Sequence, residues 1–217
     1  MRPQNHDGLP QVLEPLRAKL LQVALHTSYG GLERAILILD EDPADFFDAL
    51  QPLVKFIKNR KLAEPLIVNR AFVMGSLDSF PLEFLDIQSA CVSLFQTEDL
   101  LGSLKFQPAD LRLQMERELK SKWLLTRQAV LENPFKEDRV ARVIQVSREA
   151  IHPVLKGFFA LHGQIPPPDL IVAVEKAAPI AMCDLSPLID PISGISDVYR
   201  YIGMLEKLNQ RVQGWQL

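Results

Sequence analysis

The apolar positions Leu9, Val12, Leu13, Leu16, Leu20, Val23 and Ala24 recur at intervals of three and four, the spacing of one helical face. They predict an amphipathic helix with Pro10 and Pro15 near its start, a frayed tail over residues 1–8 ahead of it, and a stop at the turn Ser28, Tyr29, Gly30, Gly31. The pattern then changes. Ala35, Ile36, Leu37, Ile38 and Leu39 form an unbroken apolar run, which predicts a strand buried on both faces. After Asp40, Glu41, Asp42 and Pro43 the helical period returns in Phe46, Phe47, Leu50, Leu53, Val54 and Ile57. Asp42 is expected to cap this helix, and the basic residues at 58–61 to complement its carboxyl end. Short apolar runs predict a second strand at 65–68, a third at 81–87 and a fourth at 90–95, with a short helix over 70–78.

Beyond Gln107-Pro108 no strand pattern remains. Leu111, Met115, Leu119, Trp123 and Val130 predict a long helix over 109–132, broken at Asn133-Pro134. A second long helix follows over 136–162, with Pro153 expected to kink it and Gly163 to stop it. Pro166, Pro167 and Pro168 make a stiff connector, Asp169 caps a short helix ending at Ala178, a proline-punctuated stretch covers 179–195, and a last helix begins at Ser196-Asp197. The expected fold class is therefore α+β. Residues 9–105 would hold a small mixed β-sheet with flanking helices, and residues 106–217 an all-α four- or five-helix bundle whose apolar stripes cover one another.

Charge and composition narrow the function classes. A formal net charge of −3 over 217 residues supplies no general attraction to nucleic acid or anionic lipid. The two cysteines, Cys91 and Cys183, are far apart and form no CxxC pair, so no metal centre is expected. The amino-terminal residues lack the pattern of a signal peptide and no apolar run is long enough for a membrane helix; a cytoplasmic protein is expected. His26, His152 and His162 have no ligand-like spacing, Gly30-Gly31 belongs to no phosphate-loop motif, and Gly75-Ser76 to no nucleophile elbow.

Two sets of charged residues remain as candidates. Asp40 and Asp42 follow a buried strand, where carboxylates can hold magnesium against phosphates or simply begin a helix. Glu83 and Asp86 would lie on the third strand, and their odd separation would put them on opposite faces. Arg112, Glu116 and Lys122 stand on the first long helix. There Arg112 with Glu116, and Glu118 with Lys122, have the i,i+4 spacing that supports a helix; the same residues are candidates to line a binding cleft.

Ser79, Phe80, Pro81, Leu82, Glu83, Phe84, Leu85, Asp86 and Ile87, together with the charged run from Leu111 to Leu124, the strand at 35–39 and the helices behind, resemble bacterial nucleotidyltransferase-like proteins. In these a minimal nucleotidyltransferase domain precedes a helical bundle, as in kanamycin nucleotidyltransferase. The resemblance implies a Gly-Ser turn, then two aspartates separated by one residue that bind magnesium and the nucleotide phosphates, with a third carboxylate on a later strand, for which Glu83 or Asp86 is the counterpart here. Leu32 and Arg34 stand where the paired aspartates belong, and an arginine there repels a divalent ion. The expectation that follows is a catalytically degenerate nucleotidyltransferase-like protein, now a binding or assembly module without a cofactor and with doubtful nucleotide binding. Two rivals stand beside it. One is an active magnesium-dependent transferase with ligands drawn from Asp40, Asp42, Glu83 and Asp86; the other is a structural protein that forms a homodimer through its bundle.

Overall fold

A computed structural model describes residues 6–132 and 137–215. Most of the tail expected over 1–8 and the break at Asn133-Pro134 lie outside the described residues. The elements are α1 (Leu9–Val12), a 3-10 segment (Glu14–Lys19), β1 (Leu20–Thr27), β2 (Glu33–Leu39), α2 (Phe46–Ala49), α3 (Gln51–Arg60), β3 (Leu66–Asn69), α4 (Arg70–Gly75), α5 (Pro81–Ser89), β4 (Cys91–Gln96) and α6 (Leu100–Ser103). Then come α7 (Pro108–Glu132), α8 (Glu137–Leu161), α9 (Leu170–Ala181), a 3-10 turn (Ser186–Leu188) and α10 (Ile195–Gln213). The protein is α+β, a small mixed sheet together with a helical bundle. No described helix is long and apolar enough to cross a membrane.

The chain divides into two compact units, one made of residues 1–77 and 90–105, the other of 78–89 and 106–217. The segment 78–89, expected inside the sheet domain, thus belongs to the helical unit.

In the first unit four strands are ordered β3-β2-β1-β4. β1 is antiparallel to both β2 and β4, while β2 and β3 run parallel. Ala35 to Leu39 are all buried, at 1% exposure or less, as the unbroken apolar run requires. Ala35, Leu37 and Leu39 join Leu9, Leu13, Leu16, Val23, Leu53 and Ile57 in one core, which holds α1, the 3-10 segment and α3 to the sheet. The single helix expected over 9–24 does not form. Pro10 and Pro15 confine helical structure to short pieces, and Leu20 onward becomes a central strand. Because β1 is paired on both sides and largely buried, it carries apolar residues on both faces, and such a run mimics a helical stripe. The helix expected from Asp42 also begins later and is divided, with Leu50 both closing α2 and opening α3. Asp45, not Asp42, precedes α2, and its side chain caps nothing.

In the second unit α7 packs on α8 and α10, and α8 also contacts α5, α9 and α10. The third expected strand, 81–87, is the helix α5. Pro81 in its first turn suits helix initiation, and Pro81, Leu82, Phe84, Leu85 and Ile87 are all buried. Burial nearly all round removed the amphipathic period that would have marked it as helical. Gly157 explains how closely α8 approaches its neighbours: a Cβ there would lie 2.6 Å from Met115 Sδ and 2.9 Å from Leu82 Cδ2. Asp169 caps α9 as expected, accepting the Val172 N–H at 3.0 Å. α9 continues through Pro179 to Ala181, three residues past its expected end.

Candidate functional site

Strands β2, β3 and β4 point the same way, since β2 and β4 both oppose β1 and β3 is parallel to β2. Their carboxyl ends therefore share one edge of the sheet, the edge where ligands bind in many α/β sheets. Asp40 follows β2, Arg70 follows β3, Glu98 and Asp99 follow β4, and Lys19 precedes β1. The Asp40 N–H donates to the Lys19 carbonyl at 2.7 Å, which ties the ends of β1 and β2 together.

Arg70 organises this edge. Its Nε donates to Asp40 Oδ1 at 2.9 Å. Its Nη1 and Nη2 donate to Glu98 Oε1 and Oε2 at 2.8 and 2.6 Å, a two-pronged arrangement that matches the planar guanidinium to the carboxylate. The hydrogen bonds to Glu98 and then Asp40 hold the Arg70 guanidinium well above its usual range, and the Arg70 bonds push the Glu98 carboxyl below its own. Lys19 pairs with Glu41 beside them. Beneath lies Gln22, 1% exposed. Its Nε2 donates to Ser93 Oγ and Asp99 Oδ1, both at 2.9 Å, and its Oε1 accepts the Leu101 N–H at 3.0 Å. Asp99 also accepts the Gly102 N–H at 3.1 Å and so caps α6.

The sequence candidates are distributed unevenly over this geometry. Asp40 is part of the cluster; Asp42 is exposed beyond it. Leu32 and Arg34 stand at the opposite, amino end of β2. The turn before them joins the antiparallel strands β1 and β2, closed by Ser28 N–H to Leu32 O at 2.9 Å and by Leu32 N–H to Ser28 Oγ at 3.2 Å. The length of β2, roughly 20 Å at strand rise, separates that turn from Asp40.

Glu83 and Asp86 belong to the second unit, on α5. The opposite-face expectation lapses, because residues three apart on a helix are neighbours. Their partners nevertheless differ. Glu83 accepts from Gln114 Nε2 at 2.6 Å, and Gln114 Oε1 in turn accepts the Leu82 N–H at 2.8 Å, which serves the amino end of α5. Asp86 Oδ1 pairs at 2.6 Å with Lys156 Nζ, whose side chain is 2% exposed. His152, one turn earlier on α8, is also buried, and burial lowers its pKa below the usual imidazole value. On α7, Glu116 accepts from Arg112 at 3.1 Å, Lys120 at 2.5 Å and Gln213 at 3.3 Å. These bonds, Lys120 first, lower its pKa. Lys122 lies 3.9 Å from Glu118.

Among the described residues, no three His, Cys, Asp or Glu side chains come together as a metal-holding group. Arg70, Glu98 and Lys156 were missed at the sequence level. Arg70 was visible only as the residue just past an expected strand. Lys156 stood out as a cation beside Val154, Leu155, Phe158 and Phe159 on an apolar stripe. No protein-family model, curated protein or solved structure matches the chain.

Proposed function

We propose that the protein is a catalytically degenerate nucleotidyltransferase-like protein that acts as a binding or assembly module. The observation that carries this reading is Arg70. A divalent ion needs free carboxylates, and at the sheet's carboxyl edge Asp40 and Glu98 already share a guanidinium. Bringing a second cation to that site means displacing the first or accepting its repulsion. Leu32 and Arg34, where the resemblance calls for paired aspartates, add no acid of their own. The test is titration of the protein with manganese, alone and with ATP, followed by the paramagnetic signal of free ion and by calorimetry. The reading expects no tight manganese-dependent nucleotide binding and no nucleotidyl transfer. A manganese ion held by this chain's own acids, and lost on Asp40→Asn, would replace it with the active-transferase reading.

Assembly has a specific observation in its favour. Leu113, Leu124 and Leu131 fall on one side of α7 and are each at least half exposed, as a homodimer through the bundle would require. Light scattering decides that arm: a dimer supports it, and a monomer at working concentration removes it.

A further inference from the structure

Two residues that line the groove between α7 and α10, Trp123 and Asn209, each carry a buried polar atom left without a partner. The groove is a cavity of about 460 Å³ bordered by Trp123 and Leu124 on one helix and by Glu206, Asn209 and Gln213 on the other, within the usual range for small-molecule sites. Trp123 Nε1, a donor, and Asn209 Oδ1, an acceptor, are buried, and neither has a hydrogen-bond partner among the described residues. Buried polar groups are nearly always satisfied, and leaving one unsatisfied costs free energy. Two of opposite sense beside one groove call for ligand groups that accept and donate. A hydroxyl does both at a single atom.

The rest of the lining sets the ligand's class. Lys120 is committed to Glu116 at 2.5 Å, while Glu206 is exposed on the rim and disfavours an anion. Asn209, Gln210 and Gln213 present carboxamides, each able to donate and to accept. Arg127 stacks over the Trp123 ring at 4.3 Å and holds the indole in place. Gln210 and Gln213 are exposed, and Gln213 is tied to Glu116 only at 3.3 Å, so these side chains can move aside to admit a ligand to the buried pair. We infer that the α7–α10 groove binds a neutral polyhydroxylated molecule of monosaccharide size, whose hydroxyls serve Trp123 Nε1 and Asn209 Oδ1. This concerns the helical unit alone and stands or falls separately from the reading of Arg70.

The chain has two tryptophans. Trp215 stacks with Phe158 and His162, so Trp215→Phe keeps an aromatic ring there and leaves Trp123 as the sole indole reporter. The experiment titrates glucose, galactose, mannose and N-acetylglucosamine into this variant by fluorescence, and into the unaltered protein by calorimetry. At least one sugar should give a saturable change in both. Asn209→Leu should weaken that binding by about tenfold or more, while raising the thermal midpoint of the free protein because a buried orphan acceptor is gone. Absence of saturable binding for all four sugars would overturn the inference. So would unchanged affinity in Asn209→Leu, or a lowered midpoint in that variant, which would mean that the fold itself satisfies Asn209.

Discussion

Arg70 and Lys156 each hold a carboxylate at the end of a strand or on a neighbouring helix, in opposite surroundings. Arg70 is a third exposed and shares its charge between Asp40 and Glu98 at the sheet's edge; Lys156 is buried at 2% exposure against Asp86 inside the helical unit. Water competes for every bond Arg70 makes, and salt screens it. Lys156 and Asp86 have largely given up hydration, so each depends on the other. An exposed cluster of this kind governs which ions the surface admits, whereas a buried pair governs which arrangement of helices is allowed. The buried pair is accompanied along α8 by Ser147, Arg148 and His152. Tyr201 donates to Ser147 at 2.7 Å, and burial pushes its phenol up to about 12. Arg148 donates to the Asp190 carbonyl at 2.7 Å, and burial lowers its pKa.

The largest expected effect follows from breaking the buried pair on one side. Asp86→Leu removes the carboxylate that the buried Lys156 side chain meets and should cost about 3–5 kcal/mol in unfolding free energy, while the double variant Asp86→Leu with Lys156→Met should recover most of that loss. Chemical denaturation of both variants checks this. A double variant as unstable as the single one would mean that the pair is not what fixes α5 to α8.

Close packing in the same region gives the next effect. Gly157→Ala gains about 1 kcal/mol of helix propensity but must displace the buried side chains of Met115 and Leu82, an overpacking cost of about 1–3 kcal/mol. The net result should be destabilising. Gly203→Ala on α10, where a Cβ meets nothing within 4 Å, should stabilise by about 0.5–1 kcal/mol. Thermal denaturation of the two variants should move in opposite directions.

What was readable in the sequence divides along the same line. β2, α7 and the Asp169 cap were legible because a continuous apolar run, a sustained helical period and a side chain three residues from its target are all local signals. β1 and α5 were misread for one shared reason, since each is buried around most of its circumference and tertiary burial erased the period. Asp40 and Asp86 were visible as candidates but their roles were not, and Glu98 was not singled out at all. Asp40 and Glu98 are brought together by the parallel alignment of β2 and β4 through β1, and Asp86 meets Lys156 across 70 positions of chain. Nothing in local spacing encodes either meeting.

His152 tests the buried region by pH. Its folded pKa is lowered, chiefly by burial, with Lys156 lowering it further and Glu149 and Asp86 opposing. The unfolded imidazole takes its proton near pH 6.5, and the folded one takes it only at lower pH. The unfolded state therefore binds more protons in that window. Stability is fully present above about pH 6.5 and is lost as pH falls toward the folded pKa, at no more than about 1.4 kcal/mol per pH unit. His152→Gln should flatten this slope between about pH 6.5 and pH 5, above the range where most carboxylates titrate. An unchanged slope in denaturant titrations at these pH values would assign the acid sensitivity elsewhere.

The smallest change in stability, and the one closest to function, is expected at the exposed cluster. Arg70→Gln removes a cation that water replaces readily, so the thermal midpoint should shift little, and any shift should shrink as salt is raised. The electrostatic consequence is larger than the thermodynamic one. Without the guanidinium, Asp40 and Glu98 are left facing each other at the carboxyl edge of the sheet, with the Lys19–Glu41 pair beside them. Two uncompensated carboxylates attract a divalent ion where a bridged pair does not. Manganese affinity, read from the free-ion paramagnetic signal, should therefore rise in Arg70→Gln and fall again when Asp40→Asn is added. If Arg70→Gln binds no more manganese than the unaltered protein, then the arginine is a surface tie between strand ends and not the group that keeps metal from the edge.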